Sequence, residues 1–200
     1  MQIFRYGEDE IRHLRKRDRK LGRAIDEIGM IGRDVTPDLF IALVASVASQ
    51  QISAKAAETV WHRMEERFGA ISPERIAAAP VEEIQQCGMS LRKAGYIRGI
   101  GEAVAGGRLD LDELHGLSDN EVIVRLTALK GVGIWTAEMI LIFSMERPDV
   151  LSWGDLAIQR GMMKLYGTDT LDRAQFERYR KRYSPYGSVA SLYLWELSHR

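Results

Sequence analysis

Two stretches of the chain carry residue types suited to work on an anionic polymer. The first is Leu129-Lys130-Gly131-Val132-Gly133-Ile134-Trp135-Thr136-Ala137. Glycine at 131 and 133 permits positive φ and lets the backbone approach a ligand closely. A helix that begins directly after such a turn points its free N–H groups outward, where a phosphate fits. The second stretch, Val150-Leu151-Ser152-Trp153-Gly154-Asp155-Leu156-Ala157-Ile158-Gln159-Arg160-Gly161, puts its aspartate about five helical turns further along. Asp155 has the position of an N-cap for a helix starting at Leu156. The N–H groups and dipole of a helix N-terminus hold a carboxylate ionised and oriented, so capping and catalysis are compatible roles. Taken alone, Gly-Val-Gly is equally a tight helix–helix turn, and capping aspartates far outnumber catalytic ones.

The elements around these stretches read as helices throughout. Residues 120–129 are amphipathic, with Val122, Ile123, Leu126 and Leu129 at helical spacing, and Ser118 and Glu121 stand as a capping box before them. An apolar run from Ala137 to Met145 follows the glycine turn and ends before Pro148, which gives a helix-hairpin-helix over about 120–145. Upstream, Glu8 to Ile28 reads as one charged helix with Ile11, Leu14, Leu21, Ile25 and Ile28 on one face, closed by Gly29 and Gly32. Its basic cluster, Arg15 to Lys20, reads as solvent-facing. Thr36 is placed to cap, with Pro37 at the first helical position, a helix over 38–50 that is apolar nearly all round and therefore central. Ser53 caps a helix to Arg67, and Ser72-Pro73 and Pro80-Val81 open two short helices. Ser90 opens another helix that closes near Gly106-Gly107, and Pro185-Tyr186-Gly187-Ser188 starts the last, with Ala190, Leu194 and Trp195. No internal repeat and no convincing β-alternation interrupts the pattern, so the fold class is all-α.

Composition narrows the function classes. The chain has 200 residues, enough for one domain or two small lobes with a real core. Its 28 basic residues balance 28 acidic ones, which argues against a histone-like coat on nucleic acid while leaving room for a local basic face. Residues 160–182 hold such an excess, which most simply reads as a solvated helix face. The single cysteine, Cys87, excludes an internal disulfide and a four-cysteine iron–sulfur cluster. No apolar run approaches the ~20 residues of a membrane span, and the charged N-terminus lacks a signal-peptide core. The expectation is a cytoplasmic or nuclear protein, not secreted.

The hairpin resembles the Leu-Pro-Gly-(Val/Ile)-Gly-x-x-Thr-Ala motif of the helix-hairpin-helix (HhH-GPD) DNA glycosylase superfamily, with Lys130 in the place where proline is common. Ser49-Gln50-Gln51-Ile52-Ser53-Ala54-Lys55-Ala56-Ala57 resembles a second signature, that of the 3-methyladenine DNA glycosylase II (alkylpurine glycosylase) branch. Asp155, Leu156, Ile158 and Arg160 fit the family's aspartate block, although Trp153-Gly154 replaces the usual Pro-x before it. Pro185 to Trp195 is similar to the closing block. The match spans roughly 36–200 in four ordered pieces. It implies a two-lobed fold with the cleft between the lobes, one lobe over about 36–128 and the other over 1–35 plus 136–200.

That resemblance also assigns roles. Asp155 would be the catalytic carboxylate, stabilising positive charge that builds on the sugar, or orienting water, as the N-glycosidic bond of an everted nucleotide breaks. Gln50 and Gln51 would lie at the pocket mouth, with Gln51 filling the gap left in the duplex. Trp135 stands where bifunctional relatives carry their Schiff-base lysine, so no lyase activity is expected there. It reads either as an aromatic wall for a cationic base or as a core residue. Tyr96, Trp153 and Trp195 are further pocket candidates, with buried packing the competing role for Tyr96 and Trp195. Lys130, Gly131, Val132, Gly133, Thr136, Ser53, Lys55 and Arg160 would contact DNA. No cofactor or catalytic metal is required, although a monovalent cation (Na+ or K+) on hairpin carbonyls is normal for the family. The implied activity is a monofunctional glycosylase releasing alkylated purines, 3-methyladenine first, from double-stranded DNA. The protein would act as a monomer without a membrane partner. Another HhH glycosylase specificity, or a non-catalytic DNA-binding module, is the alternative.

Overall fold

The structure, a computed structural model, describes residues 2–200. It divides into two compact units, one made of residues up to Val35 together with Leu141–Arg200, the other of Thr36–Ile140. The boundary falls inside a helix.

The central unit is helical throughout. Its first helix, α3 (Leu39–Ser49), follows α1 (Glu8–Arg17) and α2 (Arg19–Ile28) in chain order. The cap of α3 is Asp38, whose carboxylate accepts from Ile41 N at 2.9 Å, and not Thr36. Asp38 is the better acceptor, and Pro37 sits one position outside the helix where it obstructs nothing. As the sequence predicts, α3 is buried on most sides, with Leu39, Phe40, Leu43, Val44 and Val47 in the core. Around it lie α4 (Ala54–Phe68), α5 (Pro73–Ala78), α6 (Val81–Gln85) and α7 (Leu91–Ala105). Ser53, Ser72 and Ser90 cap α4, α5 and α7 by accepting the third-residue N–H groups. A short 3-10 turn (Glu113–Gly116) leads to α8 (Asp119–Thr127), where Ser118 and Glu121 form the expected capping box. The turn then feeds α9 (Ile134–Phe143).

The other unit brings the chain ends together. The single helix expected over 8–28 is two, α1 and α2, parted at Asp18. Asp18 takes extended backbone angles (φ −144°, ψ 107°) and its carboxylate accepts from Lys20 N and Leu21 N, so it closes one helix and caps the next. A capping residue inside a continuous apolar stripe goes unnoticed because periodicity survives the break. Two-residue strands, β1 (Gln2–Ile3) and β2 (Asp34–Val35), pair antiparallel, too short to leave an alternating pattern. The remaining helices are α10 (Leu156–Tyr166), α11 (Arg173–Tyr183) and α12 (Gly187–His199). In α12 every residue from Gly187 to Trp195 is buried. No described helix is long and apolar enough to cross a membrane.

Helices α10 and α12 pack at very close range, and Gly161 is the reason. A Cβ added there would lie 2.1 Å from the Leu194 carbonyl oxygen, a backbone atom that cannot rotate away. Gly161→Ala is therefore expected to cost about 3 kcal/mol, the upper range for overpacking. In a domain of this size that lowers the melting temperature by roughly 6–12 °C, measurable by calorimetry.

Candidate active site

In the unit of the chain ends, the site is built on the N-terminus of α10. Asp155 caps this helix, Oδ1 accepting from Ala157 N at 2.8 Å and Ile158 N at 3.0 Å. Oδ2 accepts from the indole N–H of Trp195 at 3.1 Å. The residue is buried, 7% exposed, and these donors hold its carboxylate firmly. Trp195 comes from α12 and stacks on Phe143 with ring centroids 5.4 Å apart. Its polar edge is thus spent on Asp155, which makes it a positioning residue for the carboxylate.

The loop before Asp155 is laced to the start of α12. Asp149 accepts from Ser184 Oγ at 2.5 Å and from Gly187 N at 3.0 Å. Val150 N donates to Ser188 Oγ at 3.0 Å, and Ser191 Oγ donates to Val150 O at 3.2 Å. Trp153 is half-buried, edge-on to Phe176 at 5.1 Å, with the Arg173 guanidinium 5.2 Å over its ring. Its carbonyl accepts from Gln159 Nε2 at 2.6 Å. Arg160 is exposed on α10 and lines an open concavity of about 400 Å³ with Lys164, Gly167 and Asp169.

In the central unit, the glycine turn has the shape its sequence predicts. Gly131 takes φ +90°, and a Cβ there would meet the Tyr96 ring at 2.4 Å. Tyr96, half-buried, therefore supports the turn's backbone. The first helical bond of α9 runs from Ala137 N to Gly133 O at 3.0 Å, so the N–H groups of its first turn head away from the helix toward the turn. Lys130, Gly133 and Ile134 are exposed; Val132 and Thr136 are buried, so their side chains pack and only their backbone is available to a ligand. Trp135 is 45% exposed, which removes the core reading for it. The carbonyls of Leu129, Gly131 and Gly133 each accept one hydrogen bond, from Val132 N, Gln50 Nε2 and Ala137 N. They are neutral oxygens with two lone pairs each, the donor type a monovalent cation takes.

Gln50 reaches the turn directly, its amide donating to Gly131 O at 2.9 Å. Gln51 beside it has φ +58°, a rare conformation for a residue with a side chain, and is exposed. Ser53 is occupied as the cap of α4, and Lys55 is exposed in its first turn. Sequence reasoning missed Lys93, whose ammonium donates to Ala48 O at 3.0 Å and to Gln50 O, fixing the chain as it leaves α3. Partial burial lowers its pKa. A long-range bond to two carbonyls leaves no local pattern in the sequence.

Comparison with known proteins shows the family. The model of the HhH-GPD superfamily of base excision DNA repair proteins matches residues 44–185. The chain belongs to that superfamily. It is 36% identical over 165 residues to DNA-3-methyladenine glycosylase 1 of Schizosaccharomyces pombe, covering 78% of this chain and 71% of that protein. Among solved structures, a DNA-3-methyladenine glycosidase of Bacillus halodurans superposes with a TM-score of 0.89 at 39% identity, over 99% of this chain and 93% of that one. A Schizosaccharomyces pombe 3-methyladenine DNA glycosylase in complex with abasic DNA gives 0.83 at 31% identity, over 94% and 96% of the two chains. The hairpin and Asp155 both lie inside the HhH-GPD match, whereas Trp195 lies beyond it.

In this HhH-GPD chain, Trp195→Phe keeps the ring on Phe143 and removes only the N–H donor to Asp155. The expected loss is about 1–3 kcal/mol, that of a buried charged acceptor losing one partner, read from chemical denaturation with an unchanged m-value.

Proposed function

We propose that the protein is a monofunctional DNA glycosylase of base excision repair that acts as a monomer on double-stranded DNA and removes alkylated purines, 3-methyladenine first. The observation that carries this is the Asp155 carboxylate, oriented by two α10 N–H groups and the Trp195 indole within an HhH-GPD chain. The relatives named as 3-methyladenine glycosylases support the choice of substrate.

Each group has a definite task in the reaction. The first turn of α9 and the glycine backbone before it bind a phosphate of the damaged strand, with Lys130 adding a positive charge. A monovalent cation on the hairpin carbonyls would rigidify that turn. Gln51, thrust outward on strained backbone, fills the space of the everted nucleotide. Trp135, 45% exposed, supplies an electron-rich ring for a base made cationic by alkylation. As the N-glycosidic bond breaks, its electron pair leaves with the purine and neutralises it, so no general acid is needed. Positive charge grows on the sugar, and the fixed carboxylate of Asp155 stabilises it. Water then adds at C1′ and releases a proton.

Asparagine caps helices about as well as aspartate, so Asp155→Asn removes the charge while keeping the α10 cap. Release of bases from methylated DNA, followed by mass identification, should fall by about 10²–10³-fold. Equal release by both proteins overturns the proposal. Gln51→Gly relieves the positive-φ strain, so it should fold at least as stably while excising more slowly from duplex than from single-stranded substrate. Equal slowing on both substrates removes the wedge role.

A further inference from the structure

Helix α10 starts at Asp155 and ends at Tyr166, so its 11 residues span about 16 Å. Its far end carries a group of residues the excision chemistry does not use. Asp18, 4% exposed, accepts from Tyr166 Oη at 2.5 Å and from Arg182 Nη1 at 3.1 Å through Oδ2, while Oδ1 caps α2. Tyr166 also shares a hydrogen bond with Tyr183 Oη at 2.7 Å. Burial pushes the Tyr166 hydroxyl far above its ordinary pKa, so it stays protonated and donates. The Tyr166 ring stacks on Tyr179 with centroids 3.6 Å apart, Lys20 Nζ stands 5.6 Å over Tyr166, and the Arg182 guanidinium stands 5.3 Å over Tyr179. Lys20 Nζ further donates to Tyr166 O at 2.9 Å, the last carbonyl of α10.

These groups line a concavity of about 290 Å³ together with Arg17 and Arg19. Its four cations face a single carboxylate, and that carboxylate is buried and fully engaged. Among the described residues no acidic side chain pairs with Arg17, Arg19 or Lys20, all of which are exposed. Arg178 and Lys181 on α11 extend the basic surface. In a chain of zero net charge this is a separation of charge, assembled from two segments more than 150 residues apart in sequence. A solvated helix face would need neither the buried aspartate nor the locked Arg182. The tyrosines are stacked on each other, with Lys20 over one ring and Arg182 over the other. What remains is a rigid floor with a cationic rim, suited to phosphate and indifferent to base identity.

We propose that the Arg17–Arg19–Lys20–Arg182 concavity is a second phosphate-binding site, separate from the hairpin, that takes the backbone of DNA. It rests on the reading that the partner is DNA, though not on which base is removed. The phosphates come either from the duplex held at the hairpin or from a second one.

The test is the salt dependence of binding to undamaged DNA by the full chain, with duplexes of about 10 and about 30 base pairs. Replacing Arg17, Arg19 and Lys20 together by serine leaves the Asp18–Tyr166–Arg182 bonds in place, and thermal unfolding checks the fold. The slope of log K against log salt should fall by about 2–3, close to one per cation removed. A fall confined to the longer duplex assigns the site to the same DNA. Loss of a complex holding two short duplexes assigns it to a second segment. Arg17→Lys/Arg19→Lys should keep the wild-type slope, since phosphate contact needs charge. An unchanged slope in the serine variant on both duplexes, or an equal fall in the lysine variant, overturns the proposal. Wild-type release of methylated bases is scored separately, so a failure of the glycosylase reading is not mistaken for a failure of this site.

Discussion

The structure depends on a carboxylate being held where a low-dielectric wall surrounds it. Taking an ion out of water is costly unless donors replace the lost hydration, and Asp155 receives them from two helices at once. The α10 backbone supplies two N–H groups, and α12 supplies the indole of Trp195. Neither helix alone can do this. Their mutual distance therefore decides whether both sets of donors reach Asp155, and it is set by Gly161 against the Leu194 carbonyl. The bonds from Asp149, Ser188 and Ser191 serve the same end, because they fix the loop that delivers Asp155 to the start of α12. These bonds form one of the polar networks of this unit; the group around Asp18 and Tyr166 is another.

The glycine turn follows a different logic. In the proposed reading its ligand-binding groups are backbone atoms, so what must be fixed is the path of the chain. Gly131 takes a conformation few residues tolerate, and the Tyr96 ring lies where any side chain would have to go. Gln50 holds the turn's carbonyl, and Lys93 holds the carbonyl of Gln50. A chain of contacts thus links the end of α3, the start of α7 and the hairpin. Gln51 protrudes from the middle of that chain with φ +58°, and local strain of this kind persists only where its surroundings over-determine it.

What the sequence made legible was whatever is decided within a few residues. Ser53, Ser72, Ser90, Asp155 and the Ser118–Glu121 box cap their helices as their types and spacing require. The hairpin could be read because glycine at 131 answers a backbone demand that is itself local. Asp18 was overlooked because the apolar stripe of Ile11, Leu14, Leu21 and Ile25 keeps its period across the break. Its second role, gathering Tyr166 and Arg182, joins positions that no sequence window contains. Lys93 and the Trp195–Asp155 bond were hidden for the same reason. Trp195 was recognisable as an aromatic near the site, yet nothing in its neighbourhood said that its N–H, and not its ring face, would be the working part.

Net charge illustrates the same limit from the opposite direction. Equal numbers of acidic and basic residues argue against a histone-like coat on nucleic acid and say nothing of a local basic face. Many of the acidic groups, however, lie on helix surfaces, where pairs such as Arg98–Glu102 and Arg173–Glu177 hold their charges one helical turn apart. Exposed pairs of that kind contribute little stability, and from a distance each looks neutral. At physiological salt the Debye length is about 8 Å, so a phosphate senses only the charges beside it. A surface where cations outnumber carboxylates over that range attracts DNA whatever the total is. The sum over a chain therefore says almost nothing about binding, whereas the distance from each cation to its nearest carboxylate says a good deal.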